Sequence, residues 1–115
     1  MTDIRTNIQE LIQGLLDGKI LETFEKFYDD EVIMSENRVD ERVGKEANRQ
    51  HEEFFVKNFT LNSLEFGEVI VEGNRAAIES TWDITFPDGN RVVQRQVSVQ
   101  IWKDGRIIRE DFYHA

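Results

Sequence analysis

The hydrophobic pattern of this chain changes period once, near Phe59, and that switch restricts the possible folds more than any other feature. Before it, apolar residues recur at helical spacing. Ile4, Ile8, Leu11, Ile12, Leu15 and Leu16 make one stripe, with Thr2 or Asp3 available as a cap and Asp17-Gly18 as a stop. Ile20, Leu21, Phe24, Phe27 and Tyr28 make a second stripe. The joint between the two is short enough to predict a helical hairpin. The acidic run Asp29-Asp30-Glu31 is expected to face solvent, Val32 to Met34 to form a brief strand, and Asn37 to Val43 to be a polar excursion. A third helix is predicted from about Lys45 to Lys57, with Ala47, His51, Phe54 and Phe55 on its apolar face and Glu46, Arg49, Glu52, Glu53 and Lys57 toward water.

Beyond Phe59 the period becomes two. Leu61 to Val71, Arg75 to Phe86, Val92 to Lys103 and Ile107 to His114 are rich in β-branched and aromatic residues. Gly73-Asn74, Pro87-Asp88-Gly89-Asn90 and Asp104-Gly105 separate them, and turns this short predict an antiparallel meander. Helices first and strands afterward define a segregated α+β class. Strands of this length must coil, so the sheet is expected to curl around the helices, with a bulge at Gly67. Helices that fill the concave side incompletely leave a cavity near its wide end.

Composition narrows the function classes. A length of 115 residues suits a single domain spanning 1–115, and 39% hydrophobic residues supply a core without a metal or disulfide staple. The net charge of −9 disfavours nucleic acid as a partner. The chain has no cysteine, no apolar run of membrane-spanning length and no basic-then-apolar start at Met1, so a cytoplasmic protein that engages no membrane is expected. Gly44-Lys45 lacks the rest of a phosphate loop, and no Gly-x-Ser-x-Gly elbow occurs. His51 and His114 are not spaced as metal ligands, so neither a metal nor a cofactor is expected.

The run from Phe27 to Asn37, then Val43 to Arg49, resembles the signature of the SnoaL-like group in the nuclear transport factor 2-like superfamily. Gln96 to Ile107 and Glu110 to Tyr113 are similar to the group's two closing strands. The resemblance covers nearly the whole chain. It implies a cone-shaped, cystatin-like fold in which three N-terminal helices pack on a strongly curved antiparallel sheet. Superfamily members include cyclases, isomerases, hydrolases, dehydratases and non-enzymatic binders, so the fold alone selects no reaction. What it implies here is a pocket for a small apolar or aromatic molecule, with carboxylate acid/base chemistry on a carbonyl compound or simple ligand binding as the alternatives.

The resemblance places Glu36 where related isomerases keep a general base, while the residues themselves allow an exposed loop position. Alternation alone would bury Val97, Val99 and Ile101; the resemblance instead turns Gln96, Ser98, Gln100 and Trp102 inward. The aliphatic face then needs cover, which implies a homodimer through it. On the neighbouring strands Ile78, Ser80, Trp82, Ile84 and Phe86, and Ile108, Glu110, Phe112 and His114, form the expected inner sets. Glu110 would then lie near Glu36 as a coupled pair, or be neutralised by an arginine. Catalytic candidates are therefore Glu36 and Glu110, and pocket candidates are His51, Phe55, Trp82, Gln96, Ser98, Gln100, Trp102, Phe112 and His114. Two departures from the related isomerases are clear: the first helix has no tyrosine, and Ser98 stands where they carry an acid.

Overall fold

The computed structural model describes residues 3–115. The first helix, α1 (Ile4–Leu16), is capped by Asp3, whose Oδ1 accepts from the Thr6 N–H at 2.9 Å; Thr2 lies outside the described residues. Helix α2 (Ile20–Phe27) folds back on it through Asp17 to Lys19. Gly14 marks the crossing: a Cβ there would collide with the Thr23 hydroxyl, so a larger residue would force the Thr23 side chain to shift.

Tyr28 ends α2 with an extended backbone and begins β1 (Tyr28–Glu36), which is longer than the brief strand expected and absorbs the acidic run. The polar excursion also proves to be structured. Asn37 and Arg38 adopt φ of 54° and 63°, the left-handed pair of a two-residue hairpin turn, and β2 (Val39–Val43) returns antiparallel along β1. Four long strands follow α3 (Lys45–Asn58): β3 (Thr60–Glu72), β4 (Arg75–Thr85), β5 (Arg91–Lys103) and β6 (Arg106–His114). The sheet order is β2-β1-β6-β5-β4-β3, with β1 and β6 parallel and all other pairs antiparallel. The expected meander is thus four strands of a six-stranded mixed sheet, extended by the β1–β2 hairpin.

Two bulges bend it. One falls between Phe66 and Val69, where the Glu68 N–H leaves the ladder and donates to Glu79 Oε1 at 2.9 Å. The other falls between Ile101 and Trp102, and it rephases β6. Ile107 thereby enters the core and Ile108 does not, the reverse of the expected facing. The core gathers Ile8, Leu11, Phe24, Phe27, Val32, Met34, Ile78, Trp102 and Ile107 where the helices press on the sheet.

Helix α3 departs most from its predicted orientation. Ala47, His51 and Phe54 are exposed, while Lys45 and Asn48 are buried and Glu52 and Phe55 turn toward the sheet. Hydrogen bonding explains the reversal. Asn48 Nδ2 donates to the carbonyls of Arg42 (3.0 Å) and Gly44 (2.9 Å), and its Oδ1 accepts from Arg42 Nε (3.1 Å). Lys45 Nζ donates to the Glu25 carbonyl at 2.9 Å. These polar anchors fix the helix rotation more firmly than Phe54 or Ala47 could. Replacing Asn48 with Ala removes these side-chain hydrogen bonds, at about 0.5–1.5 kcal/mol each. A loss of about 2 kcal/mol or more in urea unfolding is therefore expected for Asn48→Ala, larger than for Ala47→Ser at an exposed position.

Candidate functional site

The concave side of the sheet encloses a cavity of about 170 Å³ under the helices. Its apolar wall includes Leu11, Leu15 and Ile20 from the helical hairpin, Phe55 from α3, and Phe66, Ile78, Trp82, Ile84 and Phe112 from the sheet. The Phe55 and Trp82 rings meet edge to face at 6.2 Å. Strand alternation brings Gln96, Ser98 and Gln100 of β5 inward beside Ser80 and Gln94. The Gln face of β5 is therefore the inner one. Val97 is exposed on the outer face.

Glu110 forms the floor, 2% exposed. Its Oε1 accepts from the Tyr28 hydroxyl, and its Oε2 accepts from Ser98 Oγ at 2.5 Å and from Gln100 Nε2 at 2.7 Å. The indole of Trp102, which can only donate, bonds Gln100 Oε1 at 2.9 Å and so fixes which end of that amide faces the carboxyl. Among the described residues no cation pairs with Glu110. Burial pushes its pKa up; the three donors pull against that rise, and the charge of Glu36 adds to it. The Tyr28 hydroxyl is driven well above the ordinary phenol range by burial and by Glu110.

The adjacent residue shows the opposite treatment. Asp111 faces away from the cavity and is 4% exposed. Its carboxylate receives Ser35 Oγ at 2.6 Å and both Arg109 Nε (2.9 Å) and Arg109 Nη2 (3.1 Å), with Arg38 nearby at 3.7 Å. Burial alone would raise its pKa, but these partners outweigh it and hold the group below the usual range. The arginine considered for Glu110 thus serves Asp111 instead.

The rim carries Glu36, Arg42 and His51. Glu36 Oε1 lies 3.0 Å from His114 Nε2, and its Oε2 lies 3.8 Å from Arg42 Nη2. Partial desolvation at the rim, and then Arg42, depress the pKa of His51. Glu52 enters from α3 one helical turn beyond Asn48. Its pKa is pushed up to about 7, by burial first and then by Glu110, against the pull of Arg42.

Of the residues singled out from sequence, Glu36, His51, Phe55, Trp82, Gln96, Ser98, Gln100, Glu110 and Phe112 all line this one cavity. Two do not. Trp102 lies in the core beneath it, 2% exposed, and acts on it through Gln100. His114 touches Glu36 from outside the lining. Tyr28, Arg42 and Glu52 line the cavity without having been expected. The spacing of four and three from Asn48 to Glu52 to Phe55 was the available signal for Glu52. A search for apolar stripes passes over it.

Solved structures with this architecture define the class. An NTF2-like protein of unknown function from Burkholderia pseudomallei aligns over 100% of this chain and 92% of its own, with a TM-score of 0.83 at 14% identity. An LEH-like epoxide hydrolase from M. tuberculosis aligns over 96% and 84%, with a TM-score of 0.79 at 14% identity. Both show the fold alone, an NTF2-like α+β domain. The chain belongs to the SnoaL-like domain family, whose profile matches residues 8–110. It is similar to a Mesorhizobium loti protein provisionally named a SnoaL-like polyketide cyclase and carbohydrate phosphatase, with a TM-score of 0.87 and 25% identity over 97% of this chain and 99% of that one. No curated protein matches the chain.

The raised pKa of Glu52 has a consequence for stability. Its ordinary value is 4.5, so the folded chain holds this proton more tightly than the unfolded chain does. That contribution is complete below pH 4.5 and is lost as pH rises through about 7. Stability should fall between about pH 5 and pH 8 by up to about 3 kcal/mol on this account, and by clearly less in Glu52→Gln. Urea unfolding of both proteins across that range measures the difference; equal slopes would contradict the assignment.

Proposed function

We propose that this domain binds a small, largely apolar carbonyl compound in the cavity. On it the domain would carry out acid/base chemistry of the cyclase or isomerase kind, without a cofactor, as a cytoplasmic protein. The observation that carries this reading is that three carboxyl groups, Glu36, Glu52 and Glu110, line one largely apolar cavity, with Glu110 held at its floor by three neutral donors. Burial in such surroundings disfavours the charged form of the Glu110 carboxyl and raises its pKa, so the group can hold the proton that acid/base work exchanges. Glu36, the second carboxylate assigned from sequence, stands at the rim of the same cavity. Its size suits one ring, since an engineered apolar cavity of about 150 Å³ accepts benzene.

A purely binding role is the alternative. It is favoured by the three hydrogen bonds held by Glu110, which a structural carboxyl would also show.

Trp82 reports on occupancy in either case. Phenylacetone, a single-ring ketone, is expected to shift the tryptophan emission of the wild-type protein and raise its Tm. In Trp82→Phe the emission change should disappear while the Tm shift persists. Neither signal from phenylacetone or from a panel of other single-ring ketones would overturn the pocket reading.

We also propose that two copies pair through the outer face of β5, which carries Val97, Val99 and Ile101. Val93 (59%), Val97 (36%) and Tyr113 (39%) are left exposed on or beside it. Light scattering after size-exclusion chromatography should then give twice the 13.5 kDa chain mass; a monomer at all concentrations would refute the pairing.

A further inference from the structure

Three carboxyl groups line the cavity, and their oxygens are not equally available. Both oxygens of Glu110 already accept from Tyr28, Ser98 and Gln100. Glu36 is 43% exposed at the rim, with one oxygen on His114 Nε2 and the other toward Arg42. Glu52 is placed differently: α3 carries its side chain into the cavity, and among the described residues no protein donor bonds it. A proton can leave a bound molecule only for an acceptor with a free lone pair within reach.

We infer that Glu52 is the catalytic residue that takes and returns the proton, an assignment that rests on the acid/base reading above, with Glu110 and Tyr28 forming a fixed floor. The C–H bond next to the substrate carbonyl breaks and its proton goes to a Glu52 oxygen. The released pair forms the carbon–carbon double bond of an enolate, and the carbonyl π pair moves to oxygen. When the proton on Glu52 is replaced by one from solvent before delivery to the same carbon, the result is exchange. Return to the far carbon of a conjugated enolate shifts a double bond. Neither outcome changes the oxidation level. The developing oxyanion has donors at hand: the Gln96 amide, whose Oε1 is occupied by Gln94 Nε2 at 3.0 Å, and the Ser80 hydroxyl, which accepts from Trp82 Nε1 at 3.0 Å.

The groups facing Glu52 set its pH dependence. They are Glu110 from β6, Tyr28 and Glu36 from β1, Arg42 from β2, and His51 beside it on α3. With titration at about 7, the basic form of Glu52 accumulates as pH rises through neutrality. Activity should climb over the same interval.

Exchange of the α-hydrogens of phenylacetone in D2O, followed by proton NMR, tests this. The wild-type protein should accelerate exchange, with a rate that rises through an apparent pKa near 7. Glu52→Gln should lower the protein-dependent rate about 100-fold or more while still shifting Trp82 emission with phenylacetone, and Glu52→Asp should restore part of it. Full exchange activity in Glu52→Gln overturns the assignment. So does a profile in which Glu36→Gln abolishes exchange and Glu52→Gln does not. Phenylacetone bound without any wild-type exchange removes Glu52 from catalysis and leaves the binding reading intact. Absence of both binding and exchange removes both.

Discussion

Glu110 is a carboxyl group buried without a cation, and much of the architecture follows from supplying it with neutral donors. A carboxylate taken out of water with no partners would be prohibitively costly, so its oxygens must be met from several strands at once. Ser98 and Gln100 meet it only if β5 keeps its polar side inward, and Tyr28 meets it only because α2 gives way to β1 at that residue. The parallel pairing of β1 with β6, in register from Ile33↔Arg109 to Glu36↔Phe112, holds those elements together. Asp111, one residue on, faces the other side of the sheet and binds Ser35 across the same β1–β6 seam and Arg109 along its own strand. Two neighbouring acids thus fasten both faces of one pairing by different means. The inner face uses neutral donors and leaves a raised pKa; the outer face uses charge and leaves a lowered one.

The cavity is the counterpart of this polar inner face. Where Ile8, Phe24, Phe27 and Ile107 close on Trp102, the concave side is filled by interlocking apolar groups. Farther along β5 the inward residues are Ser98, Gln96 and Gln94, too short or too polar to reach the helices, and Phe55, Phe66 and Trp82 line the space without filling it. The bulge beyond Phe66 turns the end of β3, so the sheet curves over this region instead of running flat past it. The cavity opens where the inward side of β5 passes from Trp102 to the polar residues Ser98, Gln96 and Gln94.

Sequence pattern reached the elements more surely than their orientations. The ends of α1 and the four long strands were legible because each is bounded by a turn signal and carries an unbroken period. The length of β1 and the existence of β2 were not, because Asp29, Asp30, Glu31, Asp40 and Glu41 read as solvated loop while the ladder is a backbone property that tolerates them on exposed positions. The Ile107/Ile108 inversion comes from a bulge, which alternation cannot signal. In the site, Glu36, Ser98, Gln96, Gln100 and Glu110 were legible through strand alternation joined to family resemblance. Tyr28 was counted as the last turn of a helical stripe, where its hydroxyl had no evident task.

Helix α3 shows why hydropathy fails where function begins. Its inner side carries Lys45, Asn48 and Glu52 ahead of Phe55, three polar residues on a face that a stripe search assigns to solvent. Asn48 and Lys45 are affordable there because carbonyls of Arg42, Gly44 and Glu25 receive their hydrogens. Those bonds fix the rotation of the helix, and the rotation carries Glu52 inward although no donor among the described residues bonds it. A partnerless carboxyl lowers stability once ionised, and its position is dictated by anchors one turn away rather than by any gain of its own. A residue placed at a cost by the packing of its neighbours is where pocket chemistry, rather than folding, supplies the physical reason for its identity.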